Sequence, residues 1–159
     1  MKKSIWFKKV AEEYGWMGNM APYPIKFDGK VWLTSEALFQ SMRYDDVSVK
    51  EMIRIEKSPM GAKMKSKKYK DQMVVVPMSE LDVENMRKCV KMKFDQHPQL
   101  KRQLINTKDA FIYEDIGNRN GERHKFWGVK KLSESEADGN NMMGRILMEL
   151  RDEYLKEIK

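Results

Sequence analysis

The chain is poor in the residues from which several protein classes are built: one cysteine, two histidines and five prolines in 159 residues. A lone Cys89 closes no internal disulfide, which fits a reducing compartment, and its place in a helical pattern makes it a buried structural thiol rather than a nucleophile. Neither His97 nor His124 has ligand spacing to a second metal-binding residue, and HExxH and paired CxxC are missing, so no metal is expected. The absence of GxxxxGKS/T, GxGxxG and GxSxG removes the common phosphate loops and the serine-hydrolase elbow, and no cofactor is expected. No apolar run approaches the roughly 18 residues of a spanning helix. The start, MKKSIWFKKVAEE, has lysines without an apolar h-region. These absences predict a cytoplasmic protein with no membrane partner, and they carry no signal of oligomeric state.

What is present is a globular composition, 41% apolar and 35% charged. The length fits one domain able to bury a core without staples, so residues 1–159 are expected to form a single domain. Thirty-one Lys and Arg against 24 Asp and Glu give +7, which favours anionic partners such as nucleic acid, nucleotides or sugar phosphates. The surplus is densest in GAKMKSKKYK, where Lys63, Lys65, Lys67, Lys68 and Lys70 read as a phosphate or nucleic-acid contact or as a solvated helix end. Fourteen methionines spread through helical patterns fill core gaps.

Along the chain, YGWMGNMAPYP is too irregular for a helix and suits a loop lining a site. Asp28-Gly29 between short β-prone runs predicts a two-residue hairpin that feeds a helix opening at Thr34. Val49, Met52, Ile53 and Glu56 recur at helical spacing, and Ser58-Pro59 reads as an N-cap with proline at the first helical position. MVVVP, residues 73–77, is a β-prone run or a buried connector. Ser79 and Asp82 give a capping-box-like start to a long helix whose inward face is Val83, Met86, Val90 and Phe94. Pro98 opens a further helix through Leu104. DAFIYEDI and KFWGVKKL read as two strands separated by the turn-rich GNRNGERH. After the polar loop SESEADGN, a closing helix aligns Met143, Ile146, Leu147, Leu150, Tyr154 and Ile158 on one face.

The stretch TSEALFQSMR, residues 34–43, places Glu36, Gln40 and Arg43 on one helical face, with Ala37, Leu38, Phe39 and Met42 around much of the remainder. If the apolar faces are buried, this polar stripe is either a solvated surface or the floor of a pocket. Glu36 falls in the first turn, where backbone N–H groups and the helix dipole favour its ionised form. Such a carboxylate steadies a developing cation, as the oxocarbenium-like sugar of glycosidic cleavage requires, while the same group or a second one activates water. Tyr23, Trp32 and Trp127 offer flat surfaces for a nucleobase. Gln40 and Asn19 suit ribose hydroxyls, and Arg43 or Lys57 a phosphate. The opposing reading puts the stripe in water and the tryptophans in the core.

The segment NMAPYPIKFDGKVWLTSEALFQ, Asn19 to Gln40, resembles the signature of the NADAR superfamily of YbiA-like N-glycosidases: an SNF-type loop, a DGK hairpin ending in Trp or Tyr, then T-x-E-x-x-x-Q. The resemblance continues through SPMGAKM, KFDQHPQLKRQLINT, Phe126-Trp127-Gly128 and NNMMGRILMELR, so it runs from about Phe7 to the C-terminus with its motifs in order. It implies an α+β fold, a single compact and mostly helical domain with a small β-hairpin and sheet component. It also implies cleavage of N-glycosidic bonds, either of a ribosylamino-pyrimidine phosphate of the riboflavin pathway or of ADP-ribose on a nucleobase such as guanine in nucleic acid.

Carried over by position, the family pattern implies Asn19, Trp32, Glu36, Gln40, Arg43 (usually Lys), Trp127, Asn141 and Gly144 at or near the pocket. Three features depart from it. His124 stands where an aspartate is common, three residues before the tryptophan of the Trp-Gly pair, the SNF-type loop reads Gly18-Asn19-Met20, and Val129 follows Gly128. His124 takes the general-acid role that the aspartate would have held, or Glu114, Asp115 or Asp138 does. The alternative is a non-catalytic binder of ADP-ribose or nucleic acid.

Overall fold

The computed structural model describes residues 3–158, so Met1, Lys2 and Lys159 of the expected domain lie outside the described residues. In chain order the elements are β1 (Ser4–Phe7), β2 (Ile25–Phe27), β3 (Lys30–Trp32), α1 (Ser35–Ser41), α2 (Val47–Arg54), α3 (Pro59–Lys68), α4 (Glu80–Gln96), α5 (Pro98–Ile105), β4 (Phe111–Glu114), α6 (Glu122–Trp127), β5 (Lys130–Lys131), β6 (Ala137–Asp138) and α7 (Met142–Ile158). Short 3-10 turns occupy Gly15–Met17 and Lys70–Gln72. The class is α+β and mostly helical, as the family resemblance implies. Among the described residues the strands pair only in twos, β1 with β4 in parallel and β2 with β3 and β5 with β6 antiparallel.

The helix starts follow from local chemistry. Thr34, Asp46, Ser58 and Ser79 each accept a hydrogen bond from the backbone N–H three residues on, which satisfies a donor that the first turn cannot. Asp28 (φ 52) and Gly29 (φ 75) both take the left-handed conformation that a two-residue hairpin turn requires. The capping box at α4 is half formed. Ser79 Oγ accepts from Asp82 N, but the Asp82 carboxylate accepts from Met78 N instead of reaching back to residue 79.

The described chain divides into two compact units, one running from Asn19 to His97 and the other made of both chain ends, up to Gly18 and from Pro98 onward. In the first, α1 packs against α2, α3 and α4, and every residue of α1 is buried. In the second, β1 and β4 run together and α7 covers β4 and packs on α5 and α6. Ile5, Phe7 and Ile112 point to the buried side of that strand pair, while Trp6 stacks on Tyr113 on the other.

One of the two expected strands changes. DAFIYEDI yields β4, but in the segment expected as KFWGVKKL Lys125, Phe126 and Trp127 end α6, Val129 makes an isolated bridge to Asp115, and only Lys130 and Lys131 form a strand. The helix begins after Gly121, whose φ of 108 turns the chain, and ends where Gly128 N–H donates to His124 O. A side chain at residue 128 would meet Glu114 O at 2.7 Å, so the glycine marks a close backbone crossing and not a strand position. The loop SESEADGN contains β6, paired with β5. MVVVP is the connector of the two expected alternatives, and Val74 N and Val75 N both donate to Arg43 O.

Candidate functional site

The site begins where the hairpin runs into α1. Thr34 Oγ1 accepts from Ala37 N at 3.1 Å, and Glu36 N donates to Asn19 O at 3.2 Å, so the first turn is tied both to its own cap and to the preceding loop. The stripe of Glu36, Gln40 and Arg43 is 8%, 5% and 8% exposed, which removes the solvated-surface reading. Position in the first turn favours an ionised Glu36, yet burial raises its carboxyl above the ordinary range. Lys63, Arg43 and a hydrogen bond from Gln40 pull it back down, and Asp82 adds a smaller upward push. Desolvation is therefore the largest influence on this carboxyl.

Arg43 is committed. Its Nε donates to Asp82 Oδ1 at 2.9 Å and its Nη2 to Asp82 Oδ2 at 2.8 Å, a bidentate pair with the carboxylate fully buried. Nη1 extends to Gln40 Oε1 at 3.4 Å, and the guanidinium lies 4.7 Å from the centre of the Phe39 ring. The cation with the largest influence on Glu36 is instead Lys63 of α3. Of the basic cluster around it, Lys65 pairs with Glu56 at 3.5 Å, and Lys67, Lys68 and Lys70 are exposed.

Asn19 is fixed by two contacts of its amide. Its Oδ1 accepts from Ser35 Oγ at 2.8 Å, and its Nδ2 donates to Met86 Sδ at 2.9 Å. Trp32 is 5% exposed, and its indole N–H, buried, has no hydrogen-bond acceptor among the described residues. Tyr23 meets His97 edge to face at 5.4 Å, while His97 Nε2 donates to Pro24 O at 2.7 Å. The Nζ of Lys93 lies 5.5 Å from the centre of the Tyr23 ring. Lys93 is 1% exposed, and burial alone lowers its ammonium to about 7.

His124, Trp127 and Asn141 belong to the other unit. His124 and Trp127 are half-buried on α6, with Trp127 edge to face against Phe126 at 5.0 Å. His124 Nε2 lies 3.4 Å from Arg123 Nη2. Asn141 is buried and bridges the strand β4, accepting from Glu114 N at 3.0 Å and donating to Ile112 O at 2.8 Å. A side chain at Gly144 would sit 2.2 Å from Ile112 O and 2.4 Å from the Asn141 amide. The paired Asn and Gly of the closing-helix motif thus dock α7 onto the backbone of β4.

One unit therefore gathers Asn19, Tyr23, Trp32, Glu36, Gln40 and Arg43, together with Lys63, Asp82 and Lys93. A carboxylate held near cations steadies positive charge, and an amine that titrates near neutrality gives and takes protons. Among the described residues no three His, Cys, Asp or Glu side chains converge as metal ligands. Nor is any described helix long and apolar enough to cross a membrane. Sequence reasoning missed Lys93 and left Lys63 in the surface patch. The available signal for Lys93 was its spacing, seven residues after Met86 and four after Cys89 on a buried helical face.

Comparison with known proteins supplies the context. The family model described as NADAR domain matches residues 5–155. N-glycosidase YbiA of Escherichia coli is 33% identical over 151 residues, covering 95% of this chain and 88% of that protein, and its counterpart in Shigella boydii matches to the same extent. A riboflavin biosynthesis protein of Vibrio vulnificus is 31% identical over 96% of this chain but only 39% of its own length. The NMR structure of the Escherichia coli protein YbiA matches with a TM-score of 0.81 at 32% identity, over 99% of this chain and 88% of that one.

Proposed function

The chain belongs to the NADAR family, and from that membership and the buried Glu36 we infer that it is an N-glycosidase, which cleaves the bond between a ribose and a base by hydrolysis. The single observation that carries this reading is a carboxylate removed from water yet set among Lys63, Arg43 and the Gln40 amide. In its ionised form it lies ready for the positive charge that builds on the anomeric carbon as the C–N bond breaks. Water supplies the oxygen that replaces the base, and its proton ends on the leaving nitrogen. Lys93, buried in the same unit as Glu36 with its ammonium lowered to about 7, is proposed as a second proton carrier beside the His124 of the sequence reading. Trp32 and Tyr23 are assigned to the base or ribose, a role that for Trp127 the family pattern alone implies, and Asn19 and Gln40 to polar contacts with the sugar. The Asp82 pair moves the phosphate role from Arg43 towards Lys63. Asn141 is assigned to docking α7 onto β4 within its own unit. A single family match runs through both units, so residues 1–159 are proposed to act as one domain.

Two ribosylated substrates fit this reading. The relative named for riboflavin biosynthesis favours a ribosylamino-pyrimidine phosphate. The +7 charge and the exposed Lys67, Lys68 and Lys70 favour ADP-ribose carried on guanine in nucleic acid. Salt separates them, because displaced counterions make polymer binding fall steeply with ionic strength while a small metabolite responds little. Incubation with each substrate, followed by mass spectrometry for freed base and sugar, tests the activity. Glu36→Gln is expected to lower turnover about a thousandfold, the scale for removing one preorganised stabiliser, with substrate binding little changed. Wild-type turnover in that variant would remove Glu36 from the mechanism. Tight ADP-ribose binding with no release from any ribosylated base would replace the enzyme with a binder.

A further inference from the structure

We infer that Asp82 is a positioning residue for Glu36: through Arg43 it decides which end of the Gln40 amide faces the catalytic carboxylate. The inference rests on the reading of Glu36 given above. Arginine carries donors only, and Asp82 takes two of them, Nε and Nη2, with both of its carboxylate oxygens. The guanidinium plane is thereby fixed, and Nη1 is left aimed at Gln40. Only the oxygen of that amide can accept from it. The NH₂ end of Gln40 is therefore the end available to Glu36, and the hydrogen bond between them is donated to the carboxylate. With the amide reversed, oxygen would face oxygen and Glu36 would have to hold a proton to stay in contact.

Asp82 is itself held from the other side. It is fully buried at the start of α4, with Met78 N donating to Oδ2 at 2.8 Å, so the connector and the helix cap both fix its carboxylate. A run of side chains from α4 to α1 thus ends at the reacting group. The charged groups acting on Glu36 are Lys63 from α3, Arg43 from its own helix and Asp82 from α4, and the Cys89 thiol of α4 in turn feels the Glu36 charge.

These influences oppose one another in a way that separates positioning from simple charge. As a like charge Asp82 makes Glu36 harder to ionise, so its removal by charge alone would move the acid limb of kcat/KM to lower pH. Loss of the amide orientation moves the limb to higher pH, and the Gln40 hydrogen bond acts on Glu36 more strongly than the Asp82 charge does. The experiment measures kcat/KM against pH for the wild type, Asp82→Asn, Asp82→Glu and Gln40→Met, with Glu36→Gln as reference. Asp82→Asn and Gln40→Met are each expected to raise the acid limb by about half a pH unit or more, an activity loss of about threefold or more below the limb. The double variant should go no higher than Gln40→Met alone. Asp82→Glu keeps the charge and displaces the fork, so it too should raise the limb, and it serves if Asp82→Asn fails to fold. A limb that falls or stays in the Asp82 variants, while Glu36→Gln is inactive, overturns the positioning role alone. An active Glu36→Gln overturns the reading of Glu36 on which it rests.

Discussion

Replacement of Lys93 by methionine should make the protein more stable and much less active. Methionine keeps the unbranched stem that fills the interior and discards the ammonium. The side chain is 1% exposed, and burial holds its pKa at about 7 against an ordinary 10.5. The unfolded chain binds this proton more tightly than the folded one, so stability rises with pH between 7 and 10.5 and the cost of the lysine is greatest below 7. At about 1.4 kcal/mol per pH unit, the shift sets a ceiling of about 5 kcal/mol. Lost contacts of the amine reduce the gain, so about 2–4 kcal/mol is expected near neutral pH, or roughly 4–16 °C in Tm for a chain of this size. Urea melts of both proteins from pH 6 to 10 give the assay. The gap should be widest at pH 6 to 7 and close towards pH 10, while the variant releases no base at any pH. Parallel stability curves for the two proteins would show that Lys93 does not fold in a strained, partly neutral state. A fully active variant would show that its buried amine carries no proton for the reaction.

Lys63→Met removes the largest electrostatic influence that favours ionised Glu36, so the acid limb of the pH–rate profile should move upward while α3 still forms. Gly144→Ala forces a methyl group against Ile112 O and the Asn141 amide, and urea melts should show a loss of about 3 kcal/mol, the scale of an overpacked core. Thr34→Ala deletes the cap that accepts from Ala37 N and should cost about 1 kcal/mol in the same assay. Because the cap sits two residues from Glu36, turnover should fall with it even where the protein remains folded.

Local chemistry was legible in the sequence wherever a rule acts over three or four residues. The Asp28-Gly29 turn, the Thr34, Ser58 and Ser79 caps, and the buried Met143, Ile146, Leu147, Leu150 and Tyr154 of α7 all follow from residue type and spacing. Ile158 was placed on that same face but is 65% exposed. The α6 segment was not legible, because Phe126 and Trp127 carry β propensity and the glycine crossing at 128 involves the preceding strand β4, beyond the three- or four-residue reach of local rules. Charged residues were harder still. A lysine or aspartate is assigned to water by default, and only a partner distant in the chain reverses that assignment.

Asp82 shows why the two roles of one residue separate in this way. Its cap position is a property of four consecutive residues, while its commitment to Arg43 joins positions 39 apart. A buried carboxylate without a partner costs several kcal/mol, and so does a buried guanidinium, so neither residue tolerates loss of the other. Two apolar side chains could replace the fork at little cost to stability, so on the proposal that Glu36 is the reacting carboxylate this ion pair is kept in the interior for the orientation it imposes on Gln40 and not for the free energy it adds to the fold.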